Sequence, residues 1–472
     1  MKKIIAISIM TVFSLFSCND SKTSITSNKE IDHSEAPIET EDLSNSPGDD
    51  IVLTMGIMVE HPFYLNGRDL VEEFNDKDNG YKIVLKDYAE GFDPTDDFGP
   101  PPADGILDWD RELTLDIMKG EVLDIIPNCF SNQGRFNILA EKGAFENLDY
   151  FIDNDDKITK GELFENVLQA CEINNELRFM PLSFSIDTLL GNKKYVGTKT
   201  SWTFDEMKEY WEKAPEGSTI SGHRNEDYVY YTLLRGILSS FIDYDKAECH
   251  FDSDEFINIL DFLDSFDDYN GYKEEIDYNS PIFLRNCVIY GFKEFHSEFY
   301  KTSFDDINFI GYPSNNKSGS YFGSPLNQVA ISALSSAEKQ KGAWEFIRML
   351  ISYDCQYNNG FSKDKNIKSE YAFPINKKAF EDMGKDQYSK ADEELNAPFL
   401  NDESENRYLT KKEYDRIVDI IKNTQKLNID LEDDIFEIIN DEIFAMFRKE
   451  KSSNEIAANI QNRVQLLISE RV

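Results

Sequence analysis

Apolar residues recur along this chain in two rhythms. From Ile51 the run IVLTMGIM is almost unbroken and predicts a buried strand. From Arg68 to Asn75 the spacing changes, and Leu70, Val71 and Phe74 share one face of a helix. Tyr81 to Tyr88 reads as a second strand. Glu112 to Lys119 has helical spacing and stops at Gly120, a residue suited to the left-handed turn that closes helices. Val122 to Ile126 is an apolar strand ended by Pro127, and Gly134 to Lys142 is a helix closed by Gly143. Strands and helices alternating at this interval predict an α/β fold with a largely parallel sheet.

The second half is more helical. Thr203 and Glu206 have capping-box spacing, with Trp202 and Met207 placed as a hydrophobic staple, so Trp202 is read as structural. Ser335-Ser336-Ala337-Glu338 repeats the capping-box pattern. The helix after it carries Ala343, Trp344, Ile347, Leu350 and Ile351 on one face, which makes Trp344 a core residue. Thr410 with Glu413, and Ser452 with Glu455, begin two more helices. The last of these has Ile456, Ile460, Val464 and Leu467 as its expected buried stripe. No internal repeat stands out.

The first fifty residues follow neither rhythm. Lys2 and Lys3 precede an apolar run, Ile4 to Phe16, that fits a signal peptide and is too short to span a bilayer. Leu15-Phe16-Ser17-Cys18 then resembles the lipobox of bacterial lipoproteins. The resemblance implies cleavage after residue 17, a diacylglycerol on the Cys18 thiol, and a lipid-anchored protein on the extracytoplasmic face of the cell membrane. In a cell with two membranes that face is periplasmic. Asn19 to Asp50 is rich in Ser, Thr, Asn, Asp and Glu and has no aromatic residue, so it reads as a disordered tether extended by its own charge. Nothing after Cys18 is long and apolar enough to cross a membrane.

Charge narrows the partners. The 472 residues carry a formal charge of −40, and losing Lys2 and Lys3 with the leader makes it −42. Such a balance opposes nucleic acid, whose binding needs clustered Lys and Arg, and opposes docking on anionic lipid. The hydrophobic fraction of 40% is ordinary, so the acid is surface charge on a globular body. Tyr (23) and Phe (34) raise the aromatic share, mostly as core filling, with a minority available to pack on sugar rings. Cys129, Cys171, Cys249, Cys287 and Cys355 are odd in number and contain no CxxC pair. A zinc site is therefore not expected, buried free thiols are, and the partners of any single disulfide stay open.

Motifs for chemistry are few. Asp153, Asp155 and Asp156 invite a calcium loop, but Lys157 and Ile158 occupy the fifth and sixth positions, where such a loop needs a ligand and a glycine. The sequence contains no GxSxG, HExxH, Walker or GxGxxG motif, and its five histidines never pair at ligand spacing. With 89 acidic residues, no carboxylate pair for glycoside hydrolysis can be picked by spacing. No catalytic residue, metal or cofactor is assigned.

From Ile51 onward the order of motifs resembles the extracellular solute-binding proteins of bacterial ABC transporters, in the group that carries sugars. Glu73-Phe74-Asn75 with Tyr81-Lys82-Ile83 is similar to that family's first helix and second strand. Leu113 to Ile126, LTLDIMKGEVLDII, resembles its helix, glycine and Asp-Ile-Ile strand. Lys142-Gly143-Ala144, Asn147-Leu148 and Tyr150-Phe151-Ile152 resemble the segment after it, and Leu177 to Asn192 the crossover into a second lobe. Ser201 to Glu206 resembles its Thr-Trp-Asp-Glu helix start, with Phe204 where Trp is commoner. AWEFIRML (343–350), Phe373-Pro374-Ile375 and AANIQNRV (457–464) are the most specific tracts.

The resemblance implies a two-lobed periplasmic-binding-protein-like fold of type II, with a hinge between discontinuous lobes. The first lobe would take 51–181 and 325–373, and the second 182–324 and 374–472. It implies a monomer that closes on a carbohydrate in the interlobe cleft and delivers it to ABC permease subunits, without catalysis. On the loops that the resemblance brings to the cleft, Glu60, His61, Tyr64, Asn128, Phe130, Ser183, Ser185, Asn225, Tyr228, Phe292, Tyr321 and Phe322 are of the types that pair with hydroxyls or stack on sugar faces. Trp109 is a candidate rim contact in a loop over Gly105 to Asp110. A non-sugar solute or a sensor lipoprotein is the alternative within this fold, and a surface glycan hydrolase the alternative outside it.

Overall fold

The computed structural model describes residues 50–57, 67–88, 108–120, 123–130, 133–223, 226–234, 237–243, 246–266, 280–292, 295, 307–314, 319–323, 327–359, 372–395, 409–427 and 433–469. In chain order the strands are β1 (Ile51–Ile57), β2 (Tyr81–Asp87), β3 (Ile125–Pro127), β4 (Met180–Pro181), β5 (Ser183–Asn192), β6 (Thr219–Ile220), β7 (Ile242–Asp243), β8 (Glu248–Cys249), β9 (Ile282–Ile289), β10 (Ile307–Phe309), β11 (Tyr321–Gly323), β12 (Gln328–Ile331) and β13 (Phe373–Pro374).

The first sheet runs β2-β1-β3-β12-β4. Its β2-β1-β3 half is parallel, as the alternation of strands and helices predicts, with Ile51↔Tyr81 through Ile57↔Asp87 and Met55↔Ile125 in register. The other half departs from the parallel expectation. β12 runs between β3 and β4 and is antiparallel to both. The Gly67–Asn75 helix buries Leu70, Val71 and Phe74 on this sheet, and Ala337–Leu350 packs its Ala343, Trp344, Ile347 and Leu350 face beside β1. A fully buried side chain of this size contributes about 1.5–3 kcal/mol.

The second sheet runs β10-β5-β9-β6, with β11 and β13 also on β5. β5 is its spine: all ten residues are buried, and it lies antiparallel to β9, β10, β11 and β13. Among the described strands of this sheet only β6 is parallel, to β9. One core fills the first sheet and extends through Phe184, Phe322 and Phe373 to the Lys377–Leu395 and Lys411–Asn423 helices. The other gathers Trp202, Phe204, Phe251, Phe256 and Phe283 against the Asp433–Phe447 and Ser453–Ser469 helices.

Most helix ends sit where local chemistry puts them. Thr203 with Glu206 and Thr410 with Glu413 form reciprocal capping boxes, and Ser452 bonds reciprocally with Glu455. Trp202 is buried and donates to Gly311 O at 2.9 Å. Gly120 and Gly143 close their helices at φ 68° and 73°. Other boundaries move. The second helix begins at Asp108, four residues before Glu112, and β3 is Ile125–Pro127, with the proline inside the strand. Ser336, not Ser335, caps Ala337–Leu350, because Ser335 Oγ donates to Asp124 at 2.6 Å instead. In the last helix Ile468, not Leu467, completes the buried stripe. The five described cysteines are buried, and Asp155 is engaged by Trp344 and Arg348.

Candidate functional site: the seam between the sheets

The two sheets meet where strand becomes strand without a turn. β4 ends at Pro181, and after Leu182 the chain continues as β5 in the second sheet. The pairing at the end of the first sheet sets which side chains share a face. Gln328 pairs with Pro181 across β12–β4, and Val329 pairs with Pro127 across β12–β3. One step on, Asn128 N–H donates to Gln328 O at 2.8 Å, so Asn128, Gln328 and Pro181 form one cross-strand row. Side chains alternate along a strand, so Ser183, Ser185 and Asp187 continue the side to which Pro181 belongs.

This row is polar and buried. Asn128 is 7% exposed, Gln328 4%, and Ser183 and Ser185 2% each. Asn128 Nδ2 donates to Gln328 Oε1 at 2.7 Å. Ser183 Oγ is buried with no hydrogen-bond partner among the described residues. An unpaired buried hydroxyl costs about 1–3 kcal/mol, and this one sits at the junction of the sheets. Ser185 stands opposite Gly323 of β11, where a Cβ would lie 2.1 Å from Ser185 Oγ, so glycine is required for that hydroxyl to stay where it is. Farther along, Tyr312 donates to Asp187 Oδ1 at 2.8 Å, and Tyr321 pairs with Asp187 across β11–β5. Burial first, then the Asp187 charge, pushes the Tyr321 phenol up to about 12, so it stays protonated.

Of the residues singled out in the sequence, Asn128, Ser183 and Ser185 come together here, with Tyr321 deeper in the second sheet. Three rings go elsewhere. Phe130 is 1% exposed and packs on Phe136, Phe322 is 0% exposed against Phe184, and Phe292 lies 4.9 Å from Phe380 and 5.1 Å from Phe373. Their faces meet other rings. Glu60, His61, Tyr64 and Asn225 lie outside the described residues, as does Cys18. Tyr228 falls on the Glu226–Leu233 helix, with its side chain outside the described part. Trp109 lies in the first turn of a helix, not in a loop, and its buried Nε1 has no described partner. Beside it, buried Asp110 holds Arg135 at 3.0 Å.

Gln328 went unnoticed in the sequence. A lone glutamine before Val-Ala-Ile carries no signal, and only the register of β12 brings it to Asn128. No group of His, Cys, Asp and Glu suited to a metal ion occurs among the described residues. No helix among them is long and apolar enough to cross a membrane.

Two sheets joined at a polar, buried seam describe a known architecture. A family 1 extracellular solute-binding protein from Alicyclobacillus acidocaldarius superposes with a TM-score of 0.56 at 11% identity, over 90% of this chain and 100% of that one. A periplasmic oligogalacturonide-binding protein from Yersinia enterocolitica gives 0.57 at 14%, over 89% and 99%. A cyclic α-maltosyl-1,6-maltose-binding protein from Arthrobacter globiformis gives 0.53 at 13%, over 89% and 100%. This chain has the fold of the extracellular solute-binding proteins. No protein-family model matches the sequence, and no curated protein matches it significantly. The solute-binding fold thus persists here at an identity too low for residue roles to be copied, and the seam has to be read from its own chemistry.

Proposed function

We propose that this protein is the substrate-binding component of an ABC importer that captures a carbohydrate between its lobes and delivers it to the permease. The observation that carries the reading is the buried seam itself, where Asn128, Ser183 and Ser185 line up and the Ser183 hydroxyl has no partner among the described residues. A sugar offers many hydroxyls, each able to donate and accept, which is what such a row needs. The solute-binding fold supports the same reading, and two of the similar structures are binding proteins for an oligogalacturonide and a cyclic maltosyl-maltose.

In this reading the lobes comprise 51–181 with 325–373 and 182–324 with 374–472. They close on the sugar by rotation about the seam, with no bond made or broken. Cys18 carries the lipid that holds the mature monomer at the extracytoplasmic face. In this reading Asn128, Ser183, Ser185 and Tyr321 touch the sugar, and Glu60, His61, Tyr64, Asn225 and Tyr228 belong to the same proposal. Trp109 stands at the rim.

A thermal-shift screen of the mature chain against neutral and acidic oligosaccharides, with amino acids, peptides and metals as controls, tests the reading. A saturable rise with one sugar class, the sugar being recovered unchanged, is expected. Ser183→Ala should then weaken binding by about 1 kcal/mol. A shift from another solute alone overturns the cargo, and consumption of the sugar makes the protein an enzyme.

A further inference from the structure

We propose that Gln328 contacts the ligand and selects it by presenting a hydrogen-bond donor whose direction is set from behind. This rests on the solute-binding reading and names how the seam chooses its cargo.

The direction follows from a chain of bonds that runs only one way. The Phe130 backbone N–H can only donate, and it lies 3.4 Å from Asn128 Oδ1. Asn128 therefore turns its oxygen toward Phe130 and its Nδ2 toward Gln328, where it donates to Oε1 at 2.7 Å. With the oxygen of Gln328 taken, Nε2 is left on the other side of the carboxamide. The backbone bond from Asn128 N to Gln328 O, 2.8 Å, holds the two residues in register. Gln328 is 4% exposed, and no described residue accepts from its Nε2. Ser183, two residues past the Pro181 that pairs with Gln328, carries a buried hydroxyl with no partner among the described residues.

The buried Ser183 hydroxyl is costly in the empty protein, and both it and the Gln328 amide nitrogen are satisfied when a ligand brings oxygens. Their chemistry divides the work. The serine hydroxyl accepts or donates, whereas the amide nitrogen only donates, so it demands a lone pair. The ligand group at Gln328 is therefore an acceptor oxygen, such as a ring, glycosidic or hydroxyl oxygen of a saccharide.

The test measures calorimetric affinity of the mature chain and two variants for α-glucan, β-glucan, galactan and galacturonan oligosaccharides. Gln328→Glu keeps an acceptor for Asn128 and replaces the donor with a second acceptor. Asn128→Asp offers only acceptors to Gln328, so the amide must turn over and present its oxygen. Both variants should bind the wild-type glycan at least about tenfold more weakly at a temperature where each is fully folded, although the buried carboxylate lowers the glycan-free melting temperature. Affinity within twofold of wild type in either variant overturns the assignment. Wild-type silence across all four glycans overturns it together with the carbohydrate reading. Wild-type binding that survives the substitutions overturns this assignment alone.

Discussion

Asp155 ties the loop after the Asp149–Asp153 helix to Trp344 and Arg348 of the Ala337–Leu350 helix. Its spacing with Asp153 and Asp156 invites a calcium loop, which Lys157 and Ile158 argue against. In the structure the carboxylate accepts from Trp344 Nε1 at 2.7 Å, Arg348 Nη1 at 3.1 Å, and the backbone N–H groups of Lys157 and Ile158 at 2.7 and 3.1 Å. Burial works to raise its pKa, but the bonds from Lys157, Trp344 and Arg348 outweigh burial and hold the carboxyl below the usual range. A depressed value stabilises the fold above the unfolded pKa of about 3.9, and that contribution is lost as pH falls through the folded value. Asp155→Ala should cost about 2–3 kcal/mol at neutral pH, read from urea unfolding. Asp155→Asn should flatten the acid limb of stability below about pH 4; an unchanged limb would remove the carboxylate from this role. Trp344 was legible as core from its helical spacing, but its partner 189 residues away was not.

At the scale of elements, local rules reached far. The capping boxes at Thr203 and Thr410 need only side chains three residues apart, so the sequence alone locates them. Thr203→Ala should lower stability by about 1 kcal/mol, checked by chemical unfolding. Ser335 and Ser336 mark where the rule fails, since a distant aspartate competes for one of the two serines. The β7–β8 hairpin is smaller than local rules can support, because two strands alone are marginal in water. The Ser453–Ser469 helix holds it: Gln461 accepts from Phe251 N at 2.7 Å and donates to Cys249 O at 2.8 Å, and Gln465 accepts from Cys249 N and donates to Ala247 O. Burial pushes the Cys249 thiol up to about 11. Gln461→Leu should loosen the hairpin and make Cys249 alkylate faster at pH 8, measured by mass spectrometry, while Cys171 stays protected. Equal rates in variant and wild type would mean that the glutamine is dispensable.

For the whole molecule the decisive place is Leu182. Its N–H donates to Asn327 O at 2.8 Å, and its carbonyl accepts from Ile375 N at 3.3 Å and Gln356 Nε2 at 2.9 Å. Gln356 Oε1 in turn accepts from Asn376 N at 2.9 Å, so one buried amide, set on a π-helical turn over Cys355–Asn359, ties two passages between the sheets. Gln356→Leu should free these backbone groups. Small-angle scattering should then show a wider glycan-free form, while the wild-type radius of gyration falls when a bound oligosaccharide saturates it. The same radius in variant and wild type would place the pivot elsewhere. What the sequence by itself determined was what depends on near neighbours: strand and helix rhythm, caps, the glycine stops, the aromatic core and the acidic surface. The order of those tracts also carried the α/β architecture, because each segment buries a face that only one kind of partner covers. Tertiary structure alone decided the antiparallel entry of β12, the packing of Phe130, Phe292 and Phe322 against other rings, and the meeting of Asn128 with Gln328. Those outcomes hang on register between segments 200 residues apart, and a register is settled by the sum of many weak contacts, none of them visible in the residues that it joins.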